Sequence, residues 1–171
     1  MKKILFYSIV ILQILFLAGM SGAYYLVEDW GEKVKLRTEP IDPQDVFYGD
    51  YVHLRYQAQN IDEEQWEGEQ EDISRNTKVY VTLRENSDGF HEVERASVEK
   101  LKPADGQVVL TAVYQYYDHY ENTHSVDYGI SRYFVEDNTG QEIESSRQEM
   151  FATVSASPWG QKRILSLEIA E

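Results

Sequence analysis

An uncharged apolar run from Ile4 to Val27, with Lys2 and Lys3 before it and Glu28 and Asp29 after it, constrains this chain more than any other feature. A helix crosses a bilayer core with roughly 20 apolar residues, so the run is long enough to span with some tilt. Basic residues at its start place the N-terminus inside and the remainder outside. The expectation is a single-pass cell-membrane protein, with an anchor over residues 1–30, a cytoplasmic N-terminus and an extracytoplasmic domain over residues 31–171. A cleaved signal peptide competes with this reading, because Ser21-Gly22-Ala23 has the small-x-small character of a cleavage site. The run exceeds the roughly 7–15 residues of a signal-peptide core, and Tyr24, Tyr25 and Trp30 stand where aromatic side chains favour the membrane boundary. Both points favour retention.

Composition narrows what the outer part does. Of 16 Lys and Arg, Lys2 and Lys3 precede the apolar run, which leaves 14 basic side chains against 30 acidic ones, a formal charge of −16. Such a surface repels phosphate backbones and anionic lipid headgroups, so nucleic acid is not an expected partner. There is no cysteine, which excludes disulfides, thiolate metal sites, thiol redox chemistry and a cysteine nucleophile. No cofactor is implied.

Beyond residue 32 the apolar period is two, the signature of half-buried strands. Val34 and Leu36 alternate with lysines. Val79, Val81 and Leu83 form one face of Lys78 to Arg84. Gln107 to Tyr117 is apolar on both faces and reads as a central strand covered on both sides. Tyr133 to Val135 and Arg163 to Ile169 read as further strands, and Gly89 to Val98 pairs back through the turn Asn86-Ser87-Asp88-Gly89. Thr139 and Glu142 have capping-box spacing at the start of one short helix. The acid-rich stretch from Ile61 to Thr77 reads as an exposed loop with Trp66 as its one large anchor. The expected fold is mainly β: a twisted antiparallel sheet or sandwich-like domain with one short helix, preceded by one transmembrane helix.

The densest local pattern runs from Glu39 to Tyr56. Pro40 and Pro43 stiffen an irregular approach, Gly49 and Asp50 suit a tight turn, and Leu54 and Tyr56 share one face of the strand that begins at Tyr51. Gly49-Asp50-Tyr51-Val52-His53-Leu54-Arg55-Tyr56 resembles the G-D-Y-x-x-L-x-Y signature of the GDYXXLXY protein family. Upstream, Asp42, Pro43 and Asp45 resemble a second recurrent segment of that family. Downstream, Tyr128, Gly129, Arg132 and Tyr133 resemble a third. The resemblance extends over essentially the whole chain. It implies a bacterial, membrane-anchored protein of a functionally uncharacterised family, whose members often occur beside polytopic membrane proteins. A polytopic membrane partner is therefore the partner it implies. Gly49, Asp50, Tyr51, Leu54 and Tyr56 are read as mainly structural, since each residue type has a local role.

Catalysis has little to work with. A signal-peptidase-like serine and lysine pair lacks its nucleophile, because no serine lies between Gly22 and Ser74. Asp118, His119, His124 and Asp127 carry metal-ligating groups, but they read as a polar hairpin tip. Among 13 tyrosines, Tyr114, Tyr116, Tyr117 and Tyr120 cluster near one strand end; Tyr114 and Tyr116 read as core. The functional expectation is a non-enzymatic interaction module for a polytopic membrane or envelope partner. The alternative is a cell-wall or glycan-binding protein or hydrolase.

Overall fold

The computed structural model describes residues 2–39, 51–68, 73–134 and 149–169, of which residues 2, 23–30, 51–52 and 169 are placed by their backbone alone. The apolar run forms one helix, α1 (Lys2–Trp30). Its stretch Lys3–Gly22 is long and apolar enough to cross a membrane, and none of it is buried in the protein. A dozen large apolar side chains therefore face outwards, an arrangement opposite to the core helix of a soluble domain.

After the single residue Gly31 the described chain consists of strands and their connections, with two short 3-10 helices, Gln57–Gln59 and Glu63–Gln65. Strand β1 (Glu32–Arg37) pairs antiparallel with β10 (Met150–Ala156), which pairs in turn with β11 (Lys162–Ile169). Strand β2 (Tyr51–His53) pairs with β9 (Arg132–Phe134). The remaining strands form a six-stranded sheet in the order β3 (Asn60–Asp62), β8 (Thr123–Asp127), β7 (Gln107–Asp118), β5 (Lys78–Glu85), β6 (His91–Ser97) and β4 (Trp66–Glu67). Among the described strands only β4 and β6 pair in parallel.

The order of that sheet dictates its shape. Strands β3 and β4 stand at opposite edges, yet only the 3-10 turn Glu63–Gln65 separates them. The edges of a flat six-stranded sheet lie roughly 24 Å apart, at about 4.8 Å per strand. The four steps from Asp62 to Trp66 reach at most about 14 Å. The sheet must curl until its edges approach, and it is nearly barrel-shaped. One side-chain and one backbone bond tie the connecting turn to the strands on either side: Gln65 Nε2 donates to the Val93 carbonyl at 2.7 Å, and the Glu63 N–H donates to the Asn122 carbonyl at 3.3 Å.

This corrects the reading of Ile61 to Thr77 as a loop. Ile61 is fully buried opposite His124, and Trp66 is buried opposite Ala96. Each apolar side chain draws a two- or three-residue strand onto one barrel edge, while the acids between them face water. Residues 69–72 lie outside the described part.

The alternation places Val34, Leu36, Val79, Val81, Leu83, Leu54 and Tyr56 in one contiguous core. The Asn86 to Gly89 turn joins β5 and β6, with the Gly89 N–H donating to the Asn86 carbonyl at 3.1 Å. That turn docks on the three-stranded sheet, where the Arg37 guanidinium lies 4.4 Å over the Phe90 ring and Phe90 meets Phe151 edge-on at 5.4 Å. Three further expectations need adjustment. Strand β7 is central, but its outer face is only half covered and Val113 is exposed. Tyr116 is 59% exposed, not core. The reason is a bulge between Tyr114 and Tyr116 in the pairing with β8, since one extra residue sends the following side chains to the other face. The signature strand is also short, ending at His53, with Tyr56 rejoining by an isolated bridge to Thr38. The helix expected from Thr139 lies outside the described residues.

Candidate functional site

The predicted signature residues divide into those in the core and those outside the described part. Gly49 and Asp50 lie outside it, as do Asp42, Pro43 and Asp45. Tyr51 is placed by its backbone, opposite Phe134. Leu54 is 1% and Tyr56 0% exposed.

These residues meet the downstream segment in a reciprocal clasp. The Tyr56 hydroxyl donates to the Ile130 carbonyl at 2.8 Å, and the Tyr128 hydroxyl donates to the Ala58 carbonyl at 2.7 Å. Between them the Leu54 N–H donates to the Ser131 carbonyl at 2.8 Å. Burial pushes both phenols well above the ordinary tyrosine value, so both remain neutral donors. Gly129 takes φ +72° at the turn between them, and its N–H donates to Asp127 Oδ1 at 2.7 Å. Beyond it Arg132 is exposed opposite His53, while Tyr133 is half-buried against the core. Replacing Tyr56 by phenylalanine keeps the ring but leaves a buried carbonyl without its donor. The expected loss is about 1–3 kcal/mol of unfolding free energy, read by urea denaturation. An unchanged midpoint would mean that the hydroxyl bond contributes nothing.

The four hairpin ligands do not converge. Asp118 Oδ1 accepts from the Tyr120 and Glu121 N–H groups, Asp127 is used at Gly129, and His119 lies in the exposed turn. Among the described residues no three His, Asp or Glu side chains are grouped to hold a metal. His124 is not part of the tip at all, because β8 begins at Thr123. It is 1% exposed, stacks on Trp66 at 4.2 Å between ring centres, and lies 3.4 Å from the Tyr114 hydroxyl through Nδ1. Burial holds its pKa below the ordinary 6.5, with Glu63 opposing that shift. Well above 6.5 neither the folded nor the unfolded chain protonates this ring. As pH falls from 6.5 through the lowered native value, the unfolded chain binds a proton that the native one does not, so stability falls. The wild type should lose more of its urea midpoint between pH 7.5 and 5.5 than His124→Gln does. Equal losses would remove His124 from the account.

A groove of about 490 Å³ lies on the outer face of the curled sheet. Tyr80, Val109 and Thr111 of β5 and β7 form its floor, and Leu101, Pro103 and Trp159 its walls. The turn from Ser157 to Gln161 holds Trp159 in place: the Ser157 N–H donates to the Gln161 carbonyl at 2.8 Å, and the Trp159 indole donates to Gln161 Oε1 at 3.1 Å. Gly160 takes φ +92°, a conformation that L side chains rarely adopt, where the turn lies against Thr111. Lys162 anchors the turn, its ammonium donating to the Thr111 carbonyl and, at 3.2 Å, to Thr111 Oγ1. Burial lowers the pKa of that amine, against the pull of Asp127. Trp159 remains 50% exposed.

Lys78, Lys100 and Glu32 complete the rim. Glu32 opens β1, two residues after α1 ends. The groove therefore adjoins the point where the helix enters the domain. Sequence reading missed this site, since its parts come from five separated segments. The one local signal was Pro158-Trp159-Gly160, a turn that carries a large aromatic side chain.

Comparison with known proteins matches residues 13–167 to the family described as GDYXXLXY protein. No curated protein matches the chain, and no solved structure does.

Proposed function

The chain belongs to the GDYXXLXY protein family, and from that premise we propose a membrane-anchored extracytoplasmic protein whose β-rich domain is a non-enzymatic interaction module for a polytopic membrane or envelope partner. The observation that carries this reading is the junction of helix and domain. Helix α1 leaves its stretch Lys3–Gly22 unburied, and only Gly31 separates the end of the helix from β1. A module tethered this closely works at the membrane surface, within reach of another membrane protein and not of distant cell wall. Lys2 and Lys3 before the span orient the domain outward. The non-enzymatic part draws support from Tyr56 and Tyr128, whose hydroxyls are occupied by backbone carbonyls.

Capture of the tagged full chain from detergent-solubilised membranes, after brief crosslinking, tests the proposal. A stoichiometric multi-span membrane protein is the expected companion. Retention on isolated cell wall with no such companion would replace this reading by the glycan-binding one.

A further inference from the structure

We propose that the groove beneath Trp159 binds the headgroup of an anionic phospholipid from the leaflet that faces the domain. The inference rests on the anchored reading above. Three independent features of the groove converge on this ligand.

Position comes first. Trp30 ends the helix and Glu32 lines the groove, and two residues span at most about 7 Å. Val27 is the last residue of the apolar run, and the helix rises only about 5 Å from there to Trp30. A headgroup layer is roughly 5–7 Å deep on each side of the core. The Glu32 edge of the groove thus lies within about 12 Å of the end of the apolar run, at or just beyond the headgroup layer.

Charge comes second. The domain has a strong acidic excess, which an anionic leaflet repels. The groove rim departs from that trend, with the ammonium groups of Lys78 and Lys100 against the single carboxylate of Glu32. None of the ion pairs among the described residues engages either lysine. Lys78 lies 5.1 Å over the Tyr80 ring, which holds it at the rim. A phosphate at this rim is attracted by both groups and displaces no ion-pair partner among the described residues.

Shape comes third. Leu101, Pro103 and Val109 give the groove an apolar lining for the glycerol end of a lipid, and the half-exposed indole of Trp159 suits the boundary between apolar and wet phases. Its volume falls within the roughly 300–1,000 Å³ of small-molecule sites.

The test uses the full chain in phosphatidylcholine nanodiscs containing a trace of phosphatidylglycerol with a diazirine near the carbonyl end of one acyl chain. Irradiation should label peptides that contain Leu101 to Thr111 and Ala156 to Gly160. Added unlabelled phosphatidylglycerol should compete, and phosphatidylcholine should not. Each lysine near an anionic surface contributes roughly fivefold, so K78Q/K100Q should reduce labelling by about thirtyfold. Both lysines are exposed, and unchanged circular dichroism will show that the variant folds. Labelling that phosphatidylcholine competes equally well, or that the double variant retains, overturns the proposal. So does competition by a soluble oligosaccharide alone. Absence of labelling in a chain that co-elutes with the discs overturns the lipid site and leaves the anchor intact. A chain that does not co-elute overturns the anchored reading, and the lipid site with it.

Discussion

Replacing Leu12 and Leu15 by arginine should remove this protein from the membrane fraction. Both leucines lie in the middle of the apolar stretch with their side chains facing outwards. A charged residue at the centre of a spanning helix costs about 2.5–3.5 kcal/mol on the insertion scale, so two cost roughly 5–7 kcal/mol. That exceeds what the remaining apolar side chains recover at a few tenths of a kcal/mol each. Carbonate extraction of membranes, with protease added outside intact cells, measures the outcome. The wild type should resist extraction and be cut, and the variant should do neither. If the variant still sediments and is still cut, the helix does not span. The same blots separate anchor from cleaved leader: an Ala23→Lys variant and the wild type should migrate alike, and a shorter wild type would identify a processed chain.

The second large effect concerns Leu54. Its side chain is fully enclosed in the core, and its N–H is tied to Ser131. Truncation to alanine should cost about 2–5 kcal/mol, because the lost transfer energy is joined by a cavity that a core braced by two tyrosine clasps relaxes poorly into. At roughly 3 °C per kcal/mol the melting temperature should drop by about 6–15 °C. Tyr120→Ala, on the exposed hairpin tip, supplies the control and should shift melting by little. If Leu54→Ala melted like the control yet no longer captured a membrane partner, Leu54 would belong to a binding surface and not to the core.

Both effects concern features legible in the residues themselves. The apolar helix follows from a run that no water-soluble surface accommodates. The strands containing Val34 and Leu36, and Val79, Val81 and Leu83, follow from alternation, since neighbouring side chains on an extended backbone point to opposite faces. The hairpin at Asn86 to Gly89 follows from turn chemistry confined to four residues. Leu54 and Tyr56 are buried for the same local reason: they stand two apart.

Tertiary structure decided the rest, because it depends on pairings between distant segments. Nothing local in Ile61 to Trp66 tells that its two apolar residues sit on opposite barrel edges; that follows from the strand order and the short reach of three residues. Tyr116 turned outward because of a bulge, a property of the register between β7 and β8 and not of either strand. His124 left the polar tip for the core because Trp66, far away in sequence, offered a ring to stack on. The signature segment and the downstream family segment are separate in the chain and become one unit through strand pairing, the Leu54–Ser131 bond and the Tyr56 and Tyr128 hydroxyls. The groove exists only where a hairpin tip, a loop and two strands converge beside the helix. Alternation and polarity are written in neighbouring residues, whereas register, closure and cavities arise from which distant surfaces fit, and that is a property of the folded chain alone.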